Sequence, residues 1–413
     1  MNHSDYKQNT QQKPISKVFY LLACLIPILV LTYTSCQKAP KRPQKISRAQ
    51  QQRNLIDSLA HFSSLPLEVK FPKDNPPSEA KVRLGRMLFF DPILSGNKDV
   101  ACATCHLPDN GFAESLQISI GVNGHGRGSK RKFKEPNTIP FTQRNSQTVL
   151  NAAFNGMDFS DNYDPESAPM FWDMRAKSLE AQALEPIKSL PEMRGDQIPE
   201  AEILDRVVAR LEKIPAYQSM FAAAFPSENT ISATNMAKAI ACYERTLVTN
   251  NSRFDKFMRG DKSAISISEK EGFQQFILSG CGSCHNGPMF SDYQKHVLGV
   301  PKSDKLDTPD VGIDSSFAFR TPSLRNLRFT SPYMHNGSFY SLRRVLEFYE
   351  DIADGKMRNP NVSKDQVDPL IKGIELRVME MSPILSFLNT LNDDSFDKSQ
   401  PETVPSGLPV GGN

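Results

Sequence analysis

Apolar residues along the chain fall into distinct patterns, and the changes of pattern mark out its parts. Residues 18–32 are a continuous apolar run interrupted by Pro27. From 78 to 91, Ala80, Val82, Leu84, Met87, Leu88 and Phe89 follow helical spacing and predict an amphipathic helix. A similar stretch covers 268–278. Between these two, 201–224 and 232–247 also read as amphipathic helices, and 252–261 as the passage into a second domain. The last strong helix, 382–391, would place Pro383 in its first turn, where a missing N–H costs nothing. Residues 37–75 are basic and polar and predict a tether with one helix around 54–62. Residues 393–413 are polar and rich in Pro and Gly, which predicts a disordered tail.

The helices over 78–91 and 268–278 each lead to the same short motif. These are Cys102-Ala103-Thr104-Cys105-His106 and Cys281-Gly282-Ser283-Cys284-His285, in a chain with only seven cysteines and seven histidines. A Cys-x-x-Cys-His is a heme c attachment sequence. Each thiol adds to a vinyl group of the porphyrin, and the adjacent histidine reaches the iron as its proximal ligand. A zinc site built from two Cys-x-x-Cys pairs, or a redox dithiol, needs no histidine directly after both pairs. Cys242, on an apolar helix beside Ile240, reads as a buried small hydrophobe.

Length and composition set bounds on the rest. At 413 residues the chain exceeds what one hydrophobic core sustains. With 23% charged residues and a formal charge of +3 it is an ordinary globular composition that does not point to nucleic acid. Thirty prolines and 25 phenylalanines against one tryptophan suggest short helices joined by loops. Lys7, Lys13 and Lys17 precede the apolar run, and Tyr33-Thr34-Ser35-Cys36 follow it. This is a signal-peptide pattern, shorter than the ~20 residues of a spanning helix. Small residues before a cysteine suit lipoprotein processing, with the lipid on Cys36; a plain N-terminal anchor is the alternative, since Tyr33 suits a lipobox poorly. Both readings put the body outside the cytoplasm, as a periplasmic, membrane-anchored protein.

The order of motifs from about residue 78 to 391 resembles the bacterial diheme cytochrome c peroxidases. Four stretches carry the resemblance: Arg144-Asn145-Ser146 with Leu150-Asn151-Ala152; Phe171-Trp172-Asp173 with Arg175-Ala176 and Ser178-Leu179-Glu180; Phe319-Arg320-Thr321-Pro322-Ser323-Leu324-Arg325-Asn326; and Ser331-Pro332-Tyr333-Met334-His335-Asn336-Gly337. The resemblance implies a mainly α fold of two cytochrome c-like domains in tandem, 76–248 and 249–395, each with one covalent heme c. A lipoprotein signal (1–36) and tether (37–75) would precede them, and a disordered tail (396–413) follow. By position, it implies that His106 serves the peroxidatic iron and that Trp172 relays electrons between the hemes. Gln182 and Glu192, ten and twenty residues further on, would stand over the distal face. A carboxylate there can take a proton from peroxide and return it to the leaving oxygen, which suits Glu192. It also implies a calcium ion held by Asn145, Thr330 and Pro332, all oxygen donors. The activity implied is reduction of hydrogen peroxide with electrons from a small cytochrome c or cupredoxin.

Two positions depart from typical members. Seventeen residues beyond Pro332, where a methionine ligates the second heme in the family, stands Tyr349. This resembles the methylamine-utilisation branch, whose diheme enzyme oxidises residues of a partner protein; a phenolate stabilises ferric iron. Met357, Met379 or Met381 remain alternative ligands to the His285 heme. In the loop Gly121-Val122-Asn123-Gly124-His125-Gly126, His125 is either a ligand that blocks the peroxidatic heme or a solvated loop residue. The Lys- and Arg-rich insertion 129–141 fits neither branch. A pure diheme electron carrier, with two strong ligands on each iron, is the more distant alternative.

Overall fold

The computed structural model describes residues 59–227 and 230–413. The apolar run, Cys36 and residues 37–58, with the start of the expected helix around 54–62, lie outside them; the rest of the expected tether is not free, since Phe62 and Leu65 are buried in apolar clusters. Among the described residues no helix is long and apolar enough to cross a membrane.

The architecture is mainly helical. In chain order the α-helices are α1 Glu79–Phe90, α2 Cys102–Cys105, α3 Leu179–Lys188, α4 Glu200–Leu211, α5 Pro215–Ala224, α6 Ala233–Glu244, α7 Arg253–Met258, α8 Ile267–Leu278, α9 Leu342–Ala353 and α10 Val378–Leu388. Strands are confined, among the described residues, to two antiparallel pairs: β1 Gly124–His125 with β2 Lys132–Phe133, and β3 Lys295–Val297 with β4 Ala318–Arg320.

The helices begin where the sequence supplies caps. Ser78, Ser232 and Ser266 each accept a backbone N–H of the first turn, and Glu269 returns a bond to Ser266. The stretch 201–224 is two helices rather than one, because Pro215 starts α5 and cannot continue α4. The last helix starts at Val378, four residues earlier than expected, so Pro383 lies in its interior. Its missing N–H falls one turn after Met379, which is 80% exposed, so solvent can serve the carbonyl left over.

One construction occurs twice. Helix α1 crosses α6 at Gly85, where a Cβ would stand 1.9 Å from the Ala239 carbonyl; α8 crosses α10 at Gly272, where a Cβ would stand 2.0 Å from that of Pro383. Only glycine lets the backbones approach so closely. Leu84, Leu88, Ile203, Val207, Tyr217, Phe221, Met236 and Ile240 make the core around the first crossing. Phe62, Phe254, Phe273, Phe276, Phe290, Ile384 and Phe387 make that around the second. Burying each such ring contributes roughly 2–3 kcal/mol. Asn151 and Asn326, both in the left-handed region, each open a single 3₁₀ turn. Both amides donate to one hydroxyl, Thr249 Oγ1, at 2.6 Å.

Residues 396–413 are ordered, against expectation. Phe396 and Val404 are buried and pack with Phe89, Phe90 and Phe112. The Ser406 hydroxyl donates to Asp91 (2.6 Å), the Gly411 N–H to the Phe90 carbonyl (2.7 Å) and the Asn413 N–H to that of Asp99 (3.0 Å). Composition misleads here because this segment is held by backbone hydrogen bonds and a few apolar anchors, not by a periodic face.

Candidate active site

Each Cys-x-x-Cys-His is a single tight turn that ends at its histidine. The His106 N–H donates to the Cys102 carbonyl and the His285 N–H to that of Cys281, both at 3.0 Å. The imidazoles are then oriented identically. His106 Nδ1 lies 3.1 Å from the Phe112 carbonyl and His285 Nδ1 3.0 Å from that of Phe290. A carbonyl only accepts, so Nδ1 carries the hydrogen and Nε2 keeps its lone pair. Both phenylalanines have φ of 53°, the left-handed backbone that turns the carbonyl toward the ring. Burial lowers both imidazole pKa values and keeps the rings neutral. Four free thiols, two neutral imidazoles and a second partner locking each ring are the donor set that two hemes c require.

A cavity of about 820 Å³ is lined by Cys102, Cys105, His106 and His285, and also by Gln182, Glu192, Trp172, Tyr349, Asn145, Thr330 and Pro332. A smaller one of about 130 Å³ is lined by Cys281, Cys284, His285, Trp172 and Tyr349. The size of the larger cavity and the mainly apolar walls of both suit cofactor sites. Trp172 lines both cavities, and its indole N–H donates to the Asn145 carbonyl at 3.0 Å. Gln182 projects from α3. Glu192 sits on a five-residue π turn, Leu190–Arg194. Burial raises the Glu192 pKa, while Arg175 and Ser189 act to lower it and Glu185 to raise it. The Asn145 amide nitrogen donates to the Leu116 carbonyl at 2.7 Å.

Tyr349, on α9, is partly buried, and desolvation with the nearby Cys284 and Cys281 pushes its phenol well above the usual range. Met357, Met379 and Met381 line neither cavity, whereas Met334 lines both. His125 is exposed on β1 and does not line either cavity. Cys242 is fully buried on α6, as its apolar setting predicts.

Three features escaped the sequence reading. His335 stacks on Phe319 at 3.7 Å and meets Trp172 edge-on at 6.5 Å; burial takes its pKa down to about 3. Arg320 donates from Nε to the Phe171 carbonyl and from its backbone to that of Trp172, both at 2.9 Å, so β4 holds the tryptophan in place. His296 bridges Asp292 (2.9 Å) and Asp368 (2.7 Å), which with Cys284 nearby hold it charged up to about 11. Among these, His335 and Arg320 carry a sequence signal, in the stretches 331–337 and 319–326, and His296 carries none.

Comparison with known proteins bears on this arrangement. The family model for di-haem cytochrome c peroxidase matches residues 79–263. The methylamine utilization protein MauG of Methylorubrum extorquens is 37% identical over 82% of this chain and 86% of its own. The cytochrome c551 peroxidase of Pseudomonas aeruginosa is 34% identical over 73% of this chain and 81% of its own. Among solved structures, a MauG-like protein associated with microbial copper homeostasis has a TM-score of 0.65 at 27% identity, covering 82% of this chain and 97% of its own. The diheme peroxidase BthA of Burkholderia thailandensis shares the fold, with a TM-score of 0.60 at 21% identity over 84% and 93%. On these similarities, the chain belongs to the di-haem cytochrome c peroxidase family, on a branch that includes the MauG proteins.

Proposed function

We propose that the protein reduces hydrogen peroxide to water at the His106 side of the larger cavity, with electrons arriving through the His285 side. The observation that carries this reading is the convergence of Gln182 and Glu192 on the cavity that His106 lines, with Trp172 lining this cavity and the next. In this reading residues 76–248 and 249–395 hold one heme c each, and 396–413 belong with the first. When bound, the hemes supply the iron that accepts peroxide and the redox capacity to cleave its O–O bond.

The chain's own groups manage the protons. Reduction of peroxide to two waters takes up two electrons and two protons. Glu192, held by Ser189 in a water-poor wall, takes the proton of the attacking oxygen and returns it to the departing one. The Gln182 amide orients the peroxide from the same wall. Trp172, fixed by Asn145 and Arg320, bridges the two cavities for electrons. Asn145, Thr330 and Pro332 line the cavity between and offer oxygen donors for calcium. The donor would be a small cytochrome c or cupredoxin, and the setting the periplasm, with Cys36 lipidated.

A second reading has a specific support. Tyr349 lines the cavity of His285, and the methionines expected as alternatives do not. A tyrosine ligand favours ferric iron and suits oxidation of residues on a partner protein. The exposed His125 favours a His106 side that is open without prior reduction.

The experiment is addition of stoichiometric peroxide to the fully oxidised, heme-loaded protein with optical and EPR detection, repeated after one-electron reduction. Immediate loss of a high-spin ferric signal in the oxidised sample is the expected result. Reaction only after half-reduction would make His125 a blocking ligand, and no turnover with either sample and good donors would remove the peroxidase reading.

A further inference from the structure

Glu192 is seated by backbone. The Val122 N–H donates to the Glu192 carbonyl at 3.1 Å. Gly121 lies so close that a Cβ there would stand 2.1 Å from the Glu192 carbonyl oxygen and 2.2 Å from that of Pro191. The π turn therefore rests directly on residues 121–122, and any shift of that loop moves the carboxyl that faces the cavity.

The loop is fixed in turn by one buried guanidinium. Arg131 is 2% exposed. Its Nε donates to the Ile120 carbonyl at 2.6 Å, its Nη2 to that of Gly121 at 2.7 Å, and its Nη1 to that of Gly126 at 3.0 Å and to the main-chain oxygen of Asn413. Three of these acceptors are carbonyls of one loop and the fourth is the main-chain oxygen of residue 413, and the guanidinium lies against Gly124, where a Cβ would be 2.6 Å from Nη2. Burying a guanidinium is costly unless its donors are satisfied. Here they are satisfied by these four oxygens.

Residue 413 is itself anchored on the first attachment motif. The Thr104 hydroxyl donates to the Gly411 carbonyl at 2.8 Å, and the Asn413 N–H to that of Asp99 at 3.0 Å. Gly412 has φ of 78°, and a Cβ on it would stand 2.5 Å from the Asp99 oxygen and 2.8 Å from Thr104 Oγ1. The turn carrying Cys102 and Cys105 is thus linked to the Glu192 turn through segment 411–413, Arg131 and Gly121.

We propose that Arg131, held by segment 411–413, is a positioning residue for Glu192: it sets where the carboxyl stands relative to His106 by clamping residues 120–126. This rests on the reading of Glu192 as the proton-handling group. Arg131 lies in the insertion 129–141, and its partner lies in the segment expected to be disordered, so the clamp joins the two parts of the sequence that the family pattern leaves unexplained.

The test is the second-order rate constant for peroxide, measured by stopped flow on heme-loaded Arg131→Gln, Gly412→Val, Glu192→Gln and the double variant Arg131→Gln/Glu192→Gln. A misplacement near 1 Å costs about 100-fold, so Arg131→Gln is expected to lose about 10- to 100-fold, with KM for the electron donor and the spectrum of the His285 heme unchanged. Gly412→Val, which displaces the segment and keeps the guanidinium, loses rate in the same sense and serves alone if Arg131→Gln does not fold. In the double variant the Arg131 change adds nothing to the loss from Glu192→Gln, whereas a general structural defect would multiply it. A wild-type rate in both Arg131→Gln and Gly412→Val, or multiplied losses in the double variant, overturns the clamp. A wild-type rate in Glu192→Gln instead removes the reading of Glu192, and the clamp with it.

Discussion

The surroundings of His106 and of His285 share a scaffold and differ in what faces it. Each has a glycine crossing of two helices, a left-handed phenylalanine that turns its carbonyl to Nδ1, and an asparagine bound to Thr249. The cavity that His106 lines also carries the Gln182 amide and the Glu192 carboxyl, and near Cys105 lies Glu114, fully buried with neither carboxyl oxygen hydrogen-bonded. Opposite His285 stand Tyr349, Leu298, Val300, Leu346 and Ile371, and the nearby acids Asp292 and Asp368 are both paired to His296. A repeated scaffold fixes the histidine in one orientation, and in the proposed reading the residues lining each cavity differentiate the chemistry: an amide and a carboxyl beside His106, a phenol among mainly apolar side chains beside His285.

The sharpest way to break this contrast is to remove the acid from the His106 side. Glu192→Gln is expected to lower kcat/KM for peroxide by about 10²–10⁴-fold. Burial holds the Glu192 pKa above its ordinary value. The ionised form is the base, so the wild-type rate rises with pH through that raised pKa, and the variant's pH–rate profile should be flat over the same limb. The His285 side is tested by Tyr349→Met, which exchanges a hard donor for a thioether. The reduction potential of that heme should rise by on the order of 100 mV in a spectroelectrochemical titration, and an unchanged potential would mean that Tyr349 does not face the iron.

The unsatisfied acid offers a smaller effect. Burial raises Glu114 to about 7. The folded state therefore holds a proton that the unfolded chain releases, and stability falls as pH rises from about 4.5 to about 7. Glu114→Gln should abolish that loss, making the protein more stable than wild type by up to about 3 kcal/mol near pH 8 and equal to it near pH 4 in denaturant melts. The smallest expected effect is none: His125→Ala, on an exposed strand, should react with peroxide as the wild type does. Faster reaction of the oxidised variant would show that the loop reaches the iron.

What was legible in the sequence was local. Helices α1, α6 and α8 follow from apolar spacing and a serine cap, and the two attachment turns from five-residue motifs. The places of Gln182, Glu192 and Tyr349 came from resemblance; nothing in a lone glutamate on a five-residue turn announces a cavity wall. Features that depend on backbone from distant segments were illegible. Pro383 sits inside α10 with its carbonyl packed against a glycine of α8, a contact between distant segments. Phe112 and Phe290 look like core residues, and part of their role is played by a main-chain oxygen. Residues 396–413 looked disordered because partners such as the Phe90 and Asp99 carbonyls, the Asp91 carboxylate, the Thr104 hydroxyl and the Arg131 guanidinium lie more than 280 positions earlier.

That distance bears on the order of events in the cell. The Thr104 hydroxyl and the Gly411 carbonyl are 307 residues apart in the chain. A polypeptide made or exported from its N-terminus presents the Cys102–Cys105 turn long before its cover exists, and domains fold as they emerge. The Cys102–Cys105 turn therefore exists in the growing chain before its cover does, and residues 404–413 can close over it only after the rest of the chain has been made.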